Sequence, residues 1–146
     1  MAAVSLMSNE FKSILVPIDD SKYSIRALNK AITLANVTDA TITLAHVISY
    51  NKSIAKIVEP CENTLTEYVN KFMSKAKKYA EGENVNIDEK ILYGSTSEEL
   101  LKFMNKRKFD LVVMGRRGRD NPHGSYIGSV SNALVQRSNV PVLVTT

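Results

Sequence analysis

Apolar residues in this chain come in short bursts, and between the bursts they recur at helical spacing. The first burst, Ser13 to Ile18 (Ser-Ile-Leu-Val-Pro-Ile), predicts a short buried strand with Pro17 at its end, where a missing N–H is tolerated. Asp19-Asp20-Ser21 then supplies helix-capping side chains, and Ile25, Leu28, Ala31, Ile32 and Ala35 mark one face of a helix. Ala40 to Ile48 is rich in β-branched residues and short enough for a second strand. Ser49 to Pro60 keeps no period and reads as a loop. A second helix is predicted over about Glu62–Glu81, with Leu65, Tyr68, Val69, Phe72, Ala76 and Tyr79 on its core face and Gly82 as its stop.

Val85 to Leu92 reads as a third strand. Two overlapping capping boxes follow, Ser95 with Glu98 and Thr96 with Glu99, ahead of a short helix whose apolar face is Leu100, Leu101 and Met104. Leu111 to Met114 is the fourth strand, Tyr126 to Gln136 a fourth helix and Val140 to Thr145 a fifth strand. Strand and helix alternate throughout, which predicts an α/β fold: a single open, mostly parallel five-stranded sheet with helices on both faces. In such a sheet ligands sit outside the carboxyl ends of the strands, where the winding reverses. The Asp19 turn and the loop beginning at Gly115 both occupy strand carboxyl ends, so they are expected to share one site.

The bulk properties narrow the class without naming a ligand. The 146 residues suffice for one domain with one core, here residues 11–146 behind a short mobile tail over 1–10. The tail has neither the basic start nor the apolar run of a signal peptide, and no segment is long and apolar enough to span a membrane, so a cytoplasmic protein is expected. The formal charge of +4 comes from lysines spread along the chain, which does not indicate a dedicated nucleic-acid surface. Cys61 is the one cysteine; it can form no internal disulfide and reads as a free thiol.

Chemistry concentrates in one stretch. Gly115-Arg-Arg-Gly118, nine further residues and Gly128-Ser129 connect the fourth strand to the fourth helix. A strand feeding a glycine loop and then a helix N-terminus turns main-chain N–H groups toward one point, where a phosphate can sit. Gly115 and Gly118 can adopt backbone angles closed to other residues and let a ligand approach the main chain. Arg116, Arg117 and Arg119 bring positive charge; Arg116 and Arg117 either help hold the anion or are simply solvated. The spacing does not fit the P-loop, and the first strand turn, Val16 to Asp19, lacks the glycines of a dinucleotide fingerprint. His46 reads as a packed, hydrogen-bonded histidine and His123 as an exposed loop residue. Asp20 reads as a cap and Asp19 as a pocket residue.

The Gly-x-x-Gly, nine residues, Gly-Ser pattern from Gly115 to Ser129 resembles the nucleotide-binding branch of the universal stress proteins. Ile14-Leu-Val-Pro-Ile-Asp19, Leu44-Ala-His-Val47 and Asn139-Val-Pro-Val-Leu-Val144 resemble that family's first, second and last strands. The resemblance runs from Lys12 to Thr145. It implies a Rossmann-like, adenine nucleotide alpha hydrolase-like fold, with Pro17, Ile18 and Asp19 lining the nucleoside pocket and Val47 meeting the adenine edge. It places Met114 and Gly115 near the ribose, and Gly118, Arg119, Gly128, Ser129 and Val130 around the phosphates of ATP, ADP or AMP. Mg2+ or Mn2+ would bridge the phosphates, with Asp19 a candidate ligand. It also implies a homodimer through the last strand, Pro141, Val142, Leu143 and Val144. No catalytic residue is assigned. The expectation is a nucleotide-responsive stress module with little or no hydrolysis; the alternative is a slow metal-dependent ATPase or phosphotransferase using Asp19.

Overall fold

The computed structural model describes residues 11–49, 55–119 and 126–146, and the side chains among these outside 55–62. The expected tail, His123 and the Cys61 side chain lie outside that set. In chain order the elements are β1 (Ser13–Pro17), α1 (Lys22–Thr38), β2 (Thr41–Ser49), α2 (Ala55–Gly82), β3 (Ile87–Gly94), α3 (Thr96–Lys106), β4 (Leu111–Gly115), α4 (Ser129–Arg137) and β5 (Val142–Thr145). The strands form one sheet in the order β3-β2-β1-β4-β5, every pairing parallel.

Alternation along each strand sorts the core into two layers. Ile14, Val16, Ile42, Leu44, Leu111 and Val113 pack with α1 and α2 through Leu28, Ala31, Val69, Met73 and Ala80. Leu15, Ala45, Val47, Val112 and Met114 face the other way, onto Leu100, Leu101 and Met104 of α3 and Leu134 of α4. The open parallel sheet covered on both faces is as the alternating pattern predicts.

The winding runs outward from β1 through β2 to β3, then crosses to β4 and β5, so it reverses between β1 and β4. There the two strands pair only at Ile14 with Leu111 and Leu15 with Val112, whereas β1 follows β2 through Pro17 opposite Ala45. The N–H of Ile18 goes to Ala45 O at 2.8 Å. Successive N–H positions point to opposite sides of a strand, so the donor-less nitrogen of Pro17 faces β4. Pairing with β4 stops at this end and a crevice opens.

Several boundaries differ from the sequence reading. Helix α2 starts at Ala55, inside the segment read as a loop, where Pro60 and the missing period hid it. Helix α4 starts at Ser129 rather than Tyr126, because Gly128 is extended (φ −68°, ψ 162°) and its N–H is bonded to Arg116 O. Strand β5 starts at Val142 because the Ser138 hydroxyl closes a loop on Val140, accepting its N–H and donating to its carbonyl. Strand β3 starts after Val85, whose N–H still bonds Ala80 O and which follows Asn84 in the left-handed region.

Neither capping box forms. Ser95 is the cap of α3 without a side-chain bond. Glu99 pairs instead with Lys102 at 2.7 Å and Glu98 with Arg137 at 2.6 Å, so both glutamates turn toward cations. Tyr68 and Tyr79, expected in the core, are 42% and 47% exposed.

Candidate functional site

The crevice between the carboxyl ends of β1 and β4 is a cleft of about 340 Å³. Of the residues singled out from the sequence, it brings together Pro17, Ile18, Asp19, Val47, Met114, Gly115, Arg117, Gly118, Arg119, Ser129 and Val130. Arg116 and Gly128 stand behind this wall. The Gly128 N–H is committed to Arg116 O at 2.8 Å, and Arg116 continues β4 by donating to Thr145 O at 2.8 Å. The Arg116 Nε is buried without a partner among the described residues.

The end of β1 is built around the Asp19 carboxylate. Its Oδ1 accepts the Ser21 N–H at 2.9 Å and the Ser24 hydroxyl at 2.6 Å. Its Oδ2 accepts the Arg119 N–H at 2.9 Å. Ser24 in turn accepts the Asp19 N–H at 2.9 Å, and Ser21 caps α1 by taking the Ser24 N–H. Burial alone pushes the Asp19 carboxyl up, but hydrogen bonds from Ser21, Ser24 and the Arg119 main chain outweigh it and hold the group below its ordinary value. Asp19 is therefore a carboxylate that ties the glycine loop to the first turn of α1. Asp20, read as a cap, bonds the Tyr68 hydroxyl instead.

The loop glycines are required by close approach. Among the described residues the glycine with positive φ is Gly94, so Gly115 and Gly118 do not use the freedom of backbone angle that glycine allows. A Cβ on Gly115 would lie 2.8 Å from Tyr23 Cβ and 3.0 Å from the Tyr23 carbonyl carbon. One on Gly118 would lie 2.8 Å from Asp19 Oδ2. These glycines let the loop lie against α1 and against the aspartate.

The far wall is the first turn of α4. The Asn132 N–H is the first to reach back into the helix, to Gly128 O at 2.9 Å. By helix geometry the N–H groups of Ser129, Val130 and Ser131 lack intrahelical partners, and their residues line the cleft. The Ser131 hydroxyl bonds Gly115 O at 2.8 Å, with Arg116 O at 3.2 Å, which locks this turn to the loop. The helix dipole adds positive potential at the same point.

Of the loop arginines, Arg117 lies over the Tyr23 ring at 6.0 Å and donates to Tyr126 O at 3.4 Å. Its hydrogen bond to the Tyr23 hydroxyl lowers that group's pKa against the opposing effect of burial. His46 is packed and bonded, as read. Its Nδ1 is 2.7 Å from Ile18 O, which can only accept, so Nδ1 carries the proton, and the ring meets Phe72 edge-on at 5.0 Å.

Sequence reasoning missed Ser24, Ser131, Leu65 and Thr96 in the wall. The spacing Asp19-x-Ser21-x-x-Ser24 is a local sign for Ser24. Leu65 and Thr96 arrive through crossover packing and carry no local sign.

Among the described residues no cluster of three or more His, Cys, Asp or Glu side chains could hold a metal ion. Asp19 stands alone as a candidate ligand there, with two donors on Oδ1 and one on Oδ2. Among the described residues no helix is long and apolar enough to cross a membrane.

An open parallel α/β domain with a helix N-terminus lining a cleft at its topological switch point is the class defined by this fold and cleft. The chain belongs to the universal stress protein family, whose model matches residues 10–146. It is 30% identical over 140 residues to universal stress protein MJ0531 of Methanocaldococcus jannaschii, covering 93% of this chain and 82% of that protein. The solved structure of protein MJ0577 superposes with a TM-score of 0.84 at 30% identity, covering 93% of this chain and 96% of the other. A universal stress protein crystallised in complex with cAMP shares the fold at a TM-score of 0.68 and 24% identity, covering 92% and 96%.

Proposed function

We propose that this chain is an adenine-nucleotide-binding regulatory module that holds its ligand in the β1/β4 cleft. The phosphates face the first turn of α4 and the loop 115–119; the nucleoside lies along Pro17, Ile18 and Val47. The single observation that carries this reading is the set of N–H positions at Ser129, Val130 and Ser131, without a helical partner and without an acceptor outside the helix among the described residues, all in residues lining the same cleft as Gly118 and Arg119. The cAMP complex of a relative with the same fold supports an adenine ligand. Any Mg2+ or Mn2+ would be held by phosphate oxygens and water, as hard cations often are.

Binding rather than turnover is favoured because Asp19, the carboxylate lining the cleft, is tied by hydrogen bonds to the loop and the first turn of α1, and its lowered pKa makes it a weak base. Occupancy would order the loop, and a partner could sense that change. The same reading includes a homodimer through β5, an edge strand with Leu143 exposed.

Ser129→Pro tests the site. Ser129 is the first residue of α4, where proline removes no helical bond, and Gly128 already has the extended angles a residue before proline favours. The variant should fold, lose one anion-facing N–H and bind ATP about tenfold more weakly by calorimetry. Ser129→Ala separates out the hydroxyl. Undiminished affinity in Ser129→Pro would remove the phosphate from this helix terminus. Phosphate release above background that disappears in Asp19→Asn would replace the binding reading with a hydrolase.

A further inference from the structure

Three side chains from three different elements meet at the rim of the cleft. Asp20 comes from the turn after β1, Tyr68 from α2 and Arg119 from the glycine loop. The Tyr68 hydroxyl donates to Asp20 Oδ2. The Arg119 guanidinium lies 3.6 Å from Asp20 Oδ1 and 5.9 Å from the centre of the Tyr68 ring, within cation–π range. The Arg119 main chain is fixed separately, by its N–H on Asp19 Oδ2 at 2.9 Å. The guanidinium can therefore change partners without moving the loop.

We propose that Asp20 and Tyr68 form a latch holding Arg119 at the cleft rim, and that a nucleoside polyphosphate, unlike a monophosphate, binds by drawing Arg119 off that latch. The inference rests on the nucleotide reading above and adds a residue set that tells phosphate-chain lengths apart. The hold on Arg119 is suited to exchange. At 3.6 Å the contact is longer than a hydrogen bond, and the arginine side chain is 64% exposed, so the pair is weak. Phosphate oxygens would offer the guanidinium a bidentate, charge-assisted alternative. When Arg119 leaves, Asp20 keeps the Tyr68 hydroxyl and is not stripped of every partner.

Charge explains the dependence on chain length. One phosphate is served by the main-chain N–H groups of α4. Further phosphates bring further negative charge toward a rim that already carries Asp19 and Asp20. That charge is repelled unless a cation crosses to it; Arg117 is engaged on the Tyr23 ring and hydroxyl, and Arg119 is the cation held beside Asp20. Leu65, one turn before Tyr68 on α2, also lines the cleft. Releasing Arg119 from the Tyr68 ring therefore uncouples α2 from the loop, which gives a partner a surface that differs between the two ligand states.

The test is calorimetry with ATP and AMP, metal chelated so that no divalent ion replaces the arginine, on wild type, Arg119→Gln, Asp20→Asn and the double variant. Arg119→Gln is expected to weaken ATP about tenfold and to leave AMP within about twofold. Asp20→Asn, which keeps an acceptor for Tyr68, is expected to tighten ATP about threefold, and the gain should be clearly smaller in the double variant, where only the removal of Asp20's repulsion remains. Equal losses for ATP and AMP in Arg119→Gln overturn the latch, because Arg119 is then a general anion contact. So does an unchanged ATP affinity in Asp20→Asn, or a gain of undiminished size in the double variant, which would assign all of it to simple repulsion by Asp20. Each of these results leaves the nucleotide reading standing; wild type binding neither nucleotide overturns both.

Discussion

Asp19→Asn removes one bond from the link between β1 and the glycine loop while keeping the side chain's size. In the native site Oδ1 receives two donors, the Ser21 N–H at 2.9 Å and the Ser24 hydroxyl at 2.6 Å, and Oδ2 receives one, the Arg119 N–H at 2.9 Å. Asparagine in the same rotamer keeps its carbonyl oxygen toward the two donors and turns its NH2 onto the Arg119 N–H, so donor meets donor. One charge-assisted bond is lost, about 1.5–3 kcal/mol, and the remaining bonds become neutral and weaker. Relief of the carboxylate's desolvation opposes this, and because the direction of the Asp19 shift shows that the hydrogen bonds outweigh burial, the balance remains a loss. For a half-buried group we expect a net destabilisation of about 1–2 kcal/mol at neutral pH. Urea unfolding measures the global effect, and amide hydrogen exchange should show faster exchange confined to the 115–119 loop. The pH dependence has a definite sign. The folded Asp19 titrates below its ordinary value of 3.8, so its contribution is complete above that value and drains away as pH falls through the lower folded value. The gap between wild type and variant must therefore close in acid. Equal stability at pH 7 with unchanged loop exchange, or a gap that widens below pH 4, would refute the reasoning.

Two further outcomes follow from the packing. Gly115→Ala should lower stability by about 1–3 kcal/mol, read as a shift in urea midpoint at constant slope, because its Cβ is placed 2.8 Å from Tyr23 Cβ and 3.0 Å from the Tyr23 carbonyl oxygen; an unshifted midpoint would mean that α1 yields freely. Leu143→Lys should convert a β5-paired dimer to monomer by light scattering with little change in melting temperature, since Leu143 is 40% exposed, whereas Val142 and Val144 pack against the core and would unsettle the subunit itself. Dimer mass retained in Leu143→Lys would move the interface off this edge.

The elements that were legible in the sequence are those whose causes are local. Ile14 to Val16 and Leu111 to Met114 are apolar on both faces because each strand is covered on both, so they stand out as unbroken runs. The alternation of such runs with helical periods was enough to place Asp19 and Gly115 at carboxyl ends of one parallel sheet. What was not legible depends on partners far away in the chain. Gly118 is needed for the sake of Asp19, nearly a hundred residues earlier, and Gly115 for Tyr23; the sequence shows two glycines in a loop, which looks the same as a demand for unusual backbone angles. Tyr68 falls on the apolar stripe of α2 by spacing, yet at the rim of the cleft Asp20 and Arg119 offer its hydroxyl and ring polar partners that no helical period reveals. Glu98 and Glu99 fit a capping box, but Arg137 and Lys102 are stronger partners for an ionised carboxylate than a neutral N–H at the helix start. Gly128 shows the limit most clearly. Its place before a helix marks it as a cap, while the commitment of its N–H to Arg116 O is set by how the loop folds back on β4. Sequence locates donors; only the packed chain distinguishes those already paired from those, at Ser129 to Ser131, that have no helical partner and belong to residues lining the cleft.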